Sequence, residues 1–221
     1  MKYLFRRRLL EFTKHFVILL LLFFTFCPLI IMVFKSFKNM EQNTYEPFLL
    51  SFPLHWENYT VAWLNVKHGI LNSLITTVTS TAIILVLSAM GAYVFGAFRF
   101  PGKDILYILV LALMMIPGIL TLVPMFLLSS KLGILNTKWA IILPGIRAEL
   151  PFGVFLLTAF VKGLPHEIFE AAKIDGAGME NVFVRIVMPL IRPMLATLAI
   201  LCILFFWNDI IWPNIAKKRL T

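Results

Sequence analysis

The chain alternates between long apolar runs and shorter polar segments. The first run, residues 16–34, holds 19 positions without a charge, and the second, residues 70–98, holds 29. Because a helix needs about 20 apolar residues to cross a bilayer core of ~30 Å, each run predicts a membrane span. We predict five spans, at about residues 16–34, 70–98, 105–128, 139–161 and 194–212.

Small residues mark one face of the second span. Ser88, Ala92 and Gly96 recur at every fourth position, which places them on the same side of a helix. Side chains this small let a neighbouring helix approach closely. We therefore expect the second span to be buried in a helix bundle.

Proline and glycine interrupt the third span. Pro117, Gly118 and Pro124 lie inside it. They are expected to distort the helix and to free backbone carbonyls that only protein or a wet cavity can satisfy.

The fourth span combines prolines with charges. Arg147 and Glu149 lie between Pro144 and Pro151. Charges inside a membrane are functional candidates by default. The alternative is that the two prolines unwind the chain near the interface, where both charges stay hydrated.

The polar segment between the first two spans covers residues 35–69. It contains Pro47 and Pro53, three glutamates, three lysines and two histidines. This composition predicts a loop of ~30 residues outside the membrane, with a short helix around residues 57–63.

The overall composition agrees with a membrane protein. Hydrophobic residues make up 60% of the chain and charged residues 14%, whereas soluble domains have about 45–50% and about 25%. The chain has only two cysteines, which excludes a disulfide scaffold. Cys27 and Cys202 both lie in apolar runs, which favours a packing role for each. The fold class predicted is an all-α, polytopic transmembrane helix bundle.

Basic residues predict the orientation in the membrane. The net charge is +9, but the lysines and arginines are scattered between apolar runs, so we expect no nucleic-acid partner. Eleven basic residues lie on the side of the N-terminus and eight on the other, which places residues 1–15 in the cytoplasm. Three of those eight, Lys217, Lys218 and Arg219, lie near the end of the chain. Such a basic cluster is unexpected on the side opposite the N-terminus, where the five spans place it.

The segment 162–192 predicts a pair of short helices on the inner face. Helix-forming residues fill 167–177, a turn is expected at Gly176 and Gly178, and the helical pattern resumes over 181–188, before Pro189. Within it stands Glu170-Ala171-Ala172, then three residues, Gly176, nine residues, and Ile186-Val187-Met188-Pro189.

This spacing resembles the cytoplasmic Glu-Ala-Ala loop of ABC importer permeases, with Met188 in place of the usual leucine. The resemblance implies that the loop docks into a groove on a cytoplasmic ATPase and passes its motion to the spans. The residues that it assigns to this coupling are Glu170, Ala171, Ala172, Asp175, Gly176, Ile186 and Pro189. An amphipathic helix that only anchors the loop to lipid is the alternative.

Further residues narrow the resemblance to carbohydrate-type permeases, specifically the maltose-transporter type with the shorter periplasmic loop. They are the run 174–177, the run 114–117, Asn72-Ser73 and Trp207-Asn208 followed by Pro213. The resemblance covers about residues 10–215 and implies a bacterial inner-membrane location. It also implies four kinds of partner: two ABC ATPase subunits, a second homologous permease, an extracellular solute-binding protein and the lipid bilayer.

Members of that family have six spans, so the sixth is expected to be missing here. Three explanations of the missing span stay open: the sequence is a fragment, the gene product is truncated, or the chain is an inactive truncated permease.

No ATP-binding, metal or catalytic motif is expected in this chain. Residues 96–103 have five residues between their glycines and are followed by Asp104, where a phosphate loop needs Ser or Thr. The four histidines lack metal-ligand spacing. We expect no catalytic residue, no metal and no cofactor in the chain, with ATP and Mg²⁺ bound by the partner ATPase.

Candidate solute contacts are polar or aromatic residues inside the spans. We predict Asn72, Trp207 and Asn208, because a sugar needs aromatic faces and amide or hydroxyl partners. Polar side chains that bond only to their own helix carbonyls are the alternative.

The sequence thus predicts a permease subunit that imports a sugar or related solute with energy from a separate ATPase. Glycerol phosphates and other polyols stay open as solutes. An ion-coupled secondary transporter is the alternative mechanism; it needs titratable groups near the midplane, where only Arg147 and Glu149 qualify.

Overall fold

The computed structural model describes residues 2–216 and is helical, with no strand among them. The longest helices are α1 (Lys2–Ser36), α3 (Glu57–Ala97), α6 (Trp139–Lys162) and α10 (Arg192–Asn208). The shorter ones are α2 (Met40–Tyr45), α4 (Lys103–Met114), α5 (Leu122–Lys131), α7 (His166–Ile174), α8 (Met179–Val182), α9 (Met188–Leu190) and α11 (Ile211–Ala216). A 3₁₀ turn (Gly118–Thr121) precedes α5, and a π-helical segment (Phe183–Val187) joins α8 to α9. The predicted all-α class is confirmed.

Three helices of the described chain are long and apolar enough to cross a membrane by themselves: α1 from Leu10, α3 and α6. Two further candidates are bent pairs, and counting each pair as one span gives five. One pair is 103–114 with 118–131, bent by 90°, and the other is 179–190 with 192–208, bent by 74°. The distortion expected around Pro117 and Gly118 is therefore confirmed.

The chain divides into two compact units, residues 1–68 and 69–221. In the first unit, α2 carries an N-terminal capping box in which Asn39 and Gln42 bond reciprocally. The amide of Asn58 donates to the carbonyls of Ser36 and Lys38, at 3.1 and 3.0 Å. These bonds join the end of α1 to the start of α3. The short separate helix expected at 57–63 is wrong, because these residues form the first turns of α3.

In the second unit, α3 and α6 approach each other through small residues. A Cβ on Gly96 would lie 2.4 Å from a methyl of Val161, and one on Gly153 would lie 2.2 Å from the hydroxyl of Ser88. Both distances are too short for any side chain, so the two backbones are as close as glycine permits. Ser88 and Ala92 are fully buried, which confirms the small-residue face predicted for this span.

The helix α6 runs unbroken through Pro144 and Pro151, so the alternative in which the prolines unwind the chain is wrong. Pro144 has no N–H to donate to the carbonyl four residues earlier, that of Ala140. The indole N–H of Trp212 donates to that carbonyl at 2.7 Å. This buried hydrogen bond from α11 replaces the one that proline removes, and it lets the helix continue.

Candidate functional site

The segment 162–192 forms an elbow of two short helical arms, as the pattern predicts. The first arm is α7, and the second runs from α8 through the π-helical segment to α9. Gly176 has a φ of +73° at the turn between the arms. This left-handed conformation is costly for a residue with a Cβ, so glycine is required at the turn.

The base of the elbow is packed into the core of the second unit. Ala172, Val182 and Val187 are buried in one cluster with Tyr93 of α3 and Val161 of α6. A larger residue than Ala172 could not fit so close to its neighbours without a shift.

Tyr93 fastens the elbow to the end of α3. Its hydroxyl donates to the carbonyl of Met179 at 3.3 Å. Its ring packs against Phe98 and Phe183, with ring centroids 4.9 and 5.5 Å away. The second arm is therefore linked to α3 by a hydrogen bond and one aromatic contact, that with Phe183.

The tip of the elbow is exposed although several of its residues are apolar. Ile174 is 86% exposed and Met179 68%. Around them, Glu170, Ala171 and Asp175 are also exposed. The exposed apolar residues with charged neighbours have the composition of a protein interface rather than of a solvated turn.

The predicted coupling residues therefore separate into two groups. Glu170, Ala171, Asp175 and Gly176 lie on the exposed part, and Ala172, Ile186 and Pro189 are buried or half-buried. Their function in coupling stays a prediction.

A cavity of about 500 Å³ lies among the 3₁₀ turn, α5, α6 and the helices at the end of the chain. Polar groups in its wall come from Thr121, Arg147, Asn208 and Asp209. Phe205 and Trp212 contribute aromatic surface. This size and mixture are typical of small-molecule sites.

The three predicted solute contacts are not brought together. Asn208 lines this cavity, whereas Asn72 lines a second cavity of about 370 Å³ together with Ser73 and Lys138. Trp207 is 54% exposed and lines neither. Their role in contacting the solute therefore stays a prediction.

Sequence reasoning missed Asp209, Thr121 and Trp212 as cavity residues, and it treated Arg147 only as a charge inside a span. The guanidinium of Arg147 donates to the hydroxyl of Thr121 at 3.3 Å. Arg147 was detectable as a charge in an apolar run, but its contact with Thr121 depends on the bend of the third span. Asp209 joins the same cavity wall from the end of α10. Within residues 2–216, no cluster of His, Cys, Asp and Glu is arranged to hold a metal ion.

Broken spans, a polar cavity beside the break and a packed elbow are features found in helical membrane transport proteins. Residues 88–216 match the family described as "Binding-protein-dependent transport system inner membrane component". The chain belongs to this family. Membership decides against the ion-coupled alternative and places the chain in an inner membrane.

Curated relatives include sugar permeases. The chain is 37% identical over 204 residues to the diacetylchitobiose uptake system permease protein NgcG of Streptomyces coelicolor, covering 90% of this chain and 67% of that one. It is 38% identical over 147 residues to the arabinooligosaccharides transport system permease protein AraQ of Halalkalibacterium halodurans, covering 66% and 52%. The chain thus spans between about half and two thirds of the length of these two relatives.

A solved structure shares the fold. The crystal structure of a bacterial ABC transporter that imports the acidic polysaccharide alginate contains a similar chain, with a TM-score of 0.76 and 22% identity. The match covers 96% of this chain and 75% of the other.

Proposed function

We propose that this chain is the permease subunit of an ABC importer for a sugar or related solute and takes its energy from a separate ATPase subunit. The family supports the transport function, and the names of the relatives support the sugar class. ATP and Mg²⁺ are bound by the ATPase, and this chain contributes the solute path and the coupling surface.

The elbow is the observation that carries the proposal. Its tip exposes Ile174 and Met179 to a partner, while its base is buried beside Tyr93 and Val161. A surface that binds an ATPase at one end and packs into the spans at the other converts motion of the ATPase into motion of the helices. Glu170 and Asp175 offer charges that a partner groove can select.

The complete importer in this proposal contains two ATPase subunits, a second homologous permease and an extracellular solute-binding protein. The N-terminus and the elbow lie on the cytoplasmic side, in agreement with the bias of basic residues. Lys217, Lys218 and Arg219, which disagreed with that bias, lie outside the described residues.

Two glycines provide a matched test of the elbow. Gly176 and Gly133 both have positive φ, +73° and +66°, and a Cβ on either would meet no atom within 4 Å. Valine strains the backbone equally at the two positions, but only Gly176 lies in the elbow. We expect Gly176→Val to reduce co-purification of an ATP-binding cassette subunit from native membranes at least tenfold and to abolish uptake.

The control is Gly133→Val, which is expected to leave co-purification within twofold of the unmodified chain. Equal capture of the ATPase by both variants, at equal amounts of chain in the membrane, would contradict the coupling role.

A further inference from the structure

The 500 Å³ cavity presents both signs of charge to whatever occupies it. Arg147 of α6 and Asp209, which follows α10, are both in its wall. Within the described residues Arg147 has no ion pair, and its guanidinium donates to the hydroxyl of Thr121. A guanidinium carries five N–H donors, so most of its donors remain for a ligand.

Two other residues of the same wall carry acceptors. The amide nitrogen of Asn208 donates to the carbonyl of Leu204 at 2.8 Å, which leaves the amide oxygen as an acceptor. One carboxylate oxygen of Asp209 accepts the backbone N–H of Trp212 at 3.3 Å, which leaves the other oxygen. The cavity therefore combines charged donors, a neutral acceptor and a charged acceptor.

We infer that this cavity is a solute site that selects neutral, hydroxyl-rich molecules, with Arg147 and Asp209 as the residues that determine specificity. This inference rests on the proposed import function and names its solute class. It decides between the neutral sugars and the glycerol phosphates that the sequence leaves open.

The selection follows from electrostatics. A hydroxyl both donates and accepts, so it satisfies Arg147 and Asp209 at once. A phosphate or carboxylate is attracted by Arg147 but repelled by Asp209, and an ammonium meets the opposite pair of forces. Charges that line a cleft focus their field on an ion inside it. Phe205 and Trp212 add apolar surface against which the C–H face of a sugar ring packs.

The reactivity of a cysteine placed in the cavity wall measures the balance of charge in the cavity. This measurement does not require the natural solute. Ala148 lines the cavity and is exposed, so a cysteine at this position is accessible to reagents. The substitution Ala148→Cys is made in the full chain, and the complex is studied in native membrane vesicles. Cys27 and Cys202 are replaced by Ser and Ala. Reaction rates are measured with neutral, cationic and anionic methanethiosulfonates of similar size, each relative to its rate on a free thiol.

We expect the two charged reagents to react at similar relative rates. Asp209→Asn should raise the rate of the anionic reagent about tenfold, and Arg147→Gln should raise that of the cationic reagent about tenfold, as for charges focused in a cleft. Lys162→Gln is the matched control, because Lys162 ends the same helix, about 20 Å along it from position 148, and does not line the cavity. It should change neither rate.

The solute class is tested by protection of the same cysteine. A panel of neutral disaccharides is expected to slow the reaction, whereas glucuronate and glycerol 3-phosphate at equal concentration are not. Asp209→Asn should let the two anions protect.

The inference is overturned if the anions protect the cysteine in the chain with Arg147 and Asp209 intact, or if no neutral sugar protects it. It is also overturned if Lys162→Gln has the same effect on the rates as Arg147→Gln. An unreactive cysteine would also overturn it. The cysteine reaction needs no ATP. A failure of this inference can therefore be distinguished from a failure of the elbow to capture an ATPase.

Discussion

Gly96 defines how closely the helices of the second unit can pack. A methyl group at this position would lie 2.4 Å from Val161, whereas a methyl group at Gly69, on the same helix, would meet no atom within 4 Å. The two glycines look alike in the sequence. Only the regular spacing of Gly96 with Ser88 and Ala92 distinguished it, and that spacing correctly predicted the close approach.

Alanine substitution at the two glycines is expected to have effects of opposite sign. Gly96→Ala should lower the free energy of unfolding by about 1–3 kcal/mol through overpacking. Gly69→Ala should raise it by about 0.5–1 kcal/mol, because alanine is the better helix former. Thermal unfolding of the purified chain in detergent measures both. Equal shifts for the two variants would contradict the packing described.

At the scale of single residues, the sequence also indicated the coupling loop. The resemblance to the Glu-Ala-Ala loop singled out Glu170, Ala171, Ala172 and Gly176, whereas the residue types alone predict only a helix followed by a glycine turn. The cavity was not recognisable, because Thr121, Arg147 and Asp209 are distant in the chain and only the fold brings them into one wall.

At the scale of elements, α6 shows how a helix survives an internal proline. The pattern Pro144–Pro151 favoured unwinding because proline removes a helix hydrogen bond. The compensating donor is Trp212, 72 residues away from Ala140. No local rule could reveal a bond of that separation.

The bond predicts a specific coupling between two substitutions. Trp212→Phe leaves the buried carbonyl of Ala140 without its donor and should cost about 1–3 kcal/mol of unfolding free energy. In the background of Pro144→Ala the backbone N–H returns to that carbonyl, so the same substitution should cost markedly less. A double-mutant cycle by thermal unfolding measures the difference. Additive effects would show that Pro144 and Trp212 are not linked.

The contact between the elbow and α3 predicts a second effect at this scale. Tyr93→Phe removes only the hydroxyl that donates to Met179, worth about 0.5–1.5 kcal/mol. Tyr93→Ala also removes the ring that packs against Phe98 and Phe183. We expect Tyr93→Ala to retain ATPase capture, because the exposed tip is unchanged, but to lose transmission to the spans.

Transmission is measured as the change in reactivity of Ala148→Cys when ATP is added to the complex. Tyr93→Phe should keep most of this change and Tyr93→Ala should abolish it. A full ATP response in Tyr93→Ala would mean that motion reaches the cavity by another route.

At the scale of the whole molecule, the apolar runs predicted the helical membrane class and the distortion of the third span. Hydropathy alone misplaced the start of α3, because Asn58, Lys67 and His68 interrupt the apolar pattern although the helix continues through them. The bonds of Asn58 that join the end of α1 to the start of α3 lie in polar sequence, as does the capping box of α2. Such sequence carries no periodic signal.

The central claim is that the elbow contacts an ATPase. The most direct test places a photo-crosslinking amino acid at Ile174, at the exposed tip, in native membranes. The same group at Leu132, which is 59% exposed on a different loop, is the control. Mass spectrometry identifies what each position captures.

We predict that position 174 captures an ATP-binding cassette subunit and that position 132 does not. Capture of lipid alone at position 174, from membranes that contain the folded chain, would contradict the claim. It would instead establish the elbow as an amphipathic anchor on the membrane surface.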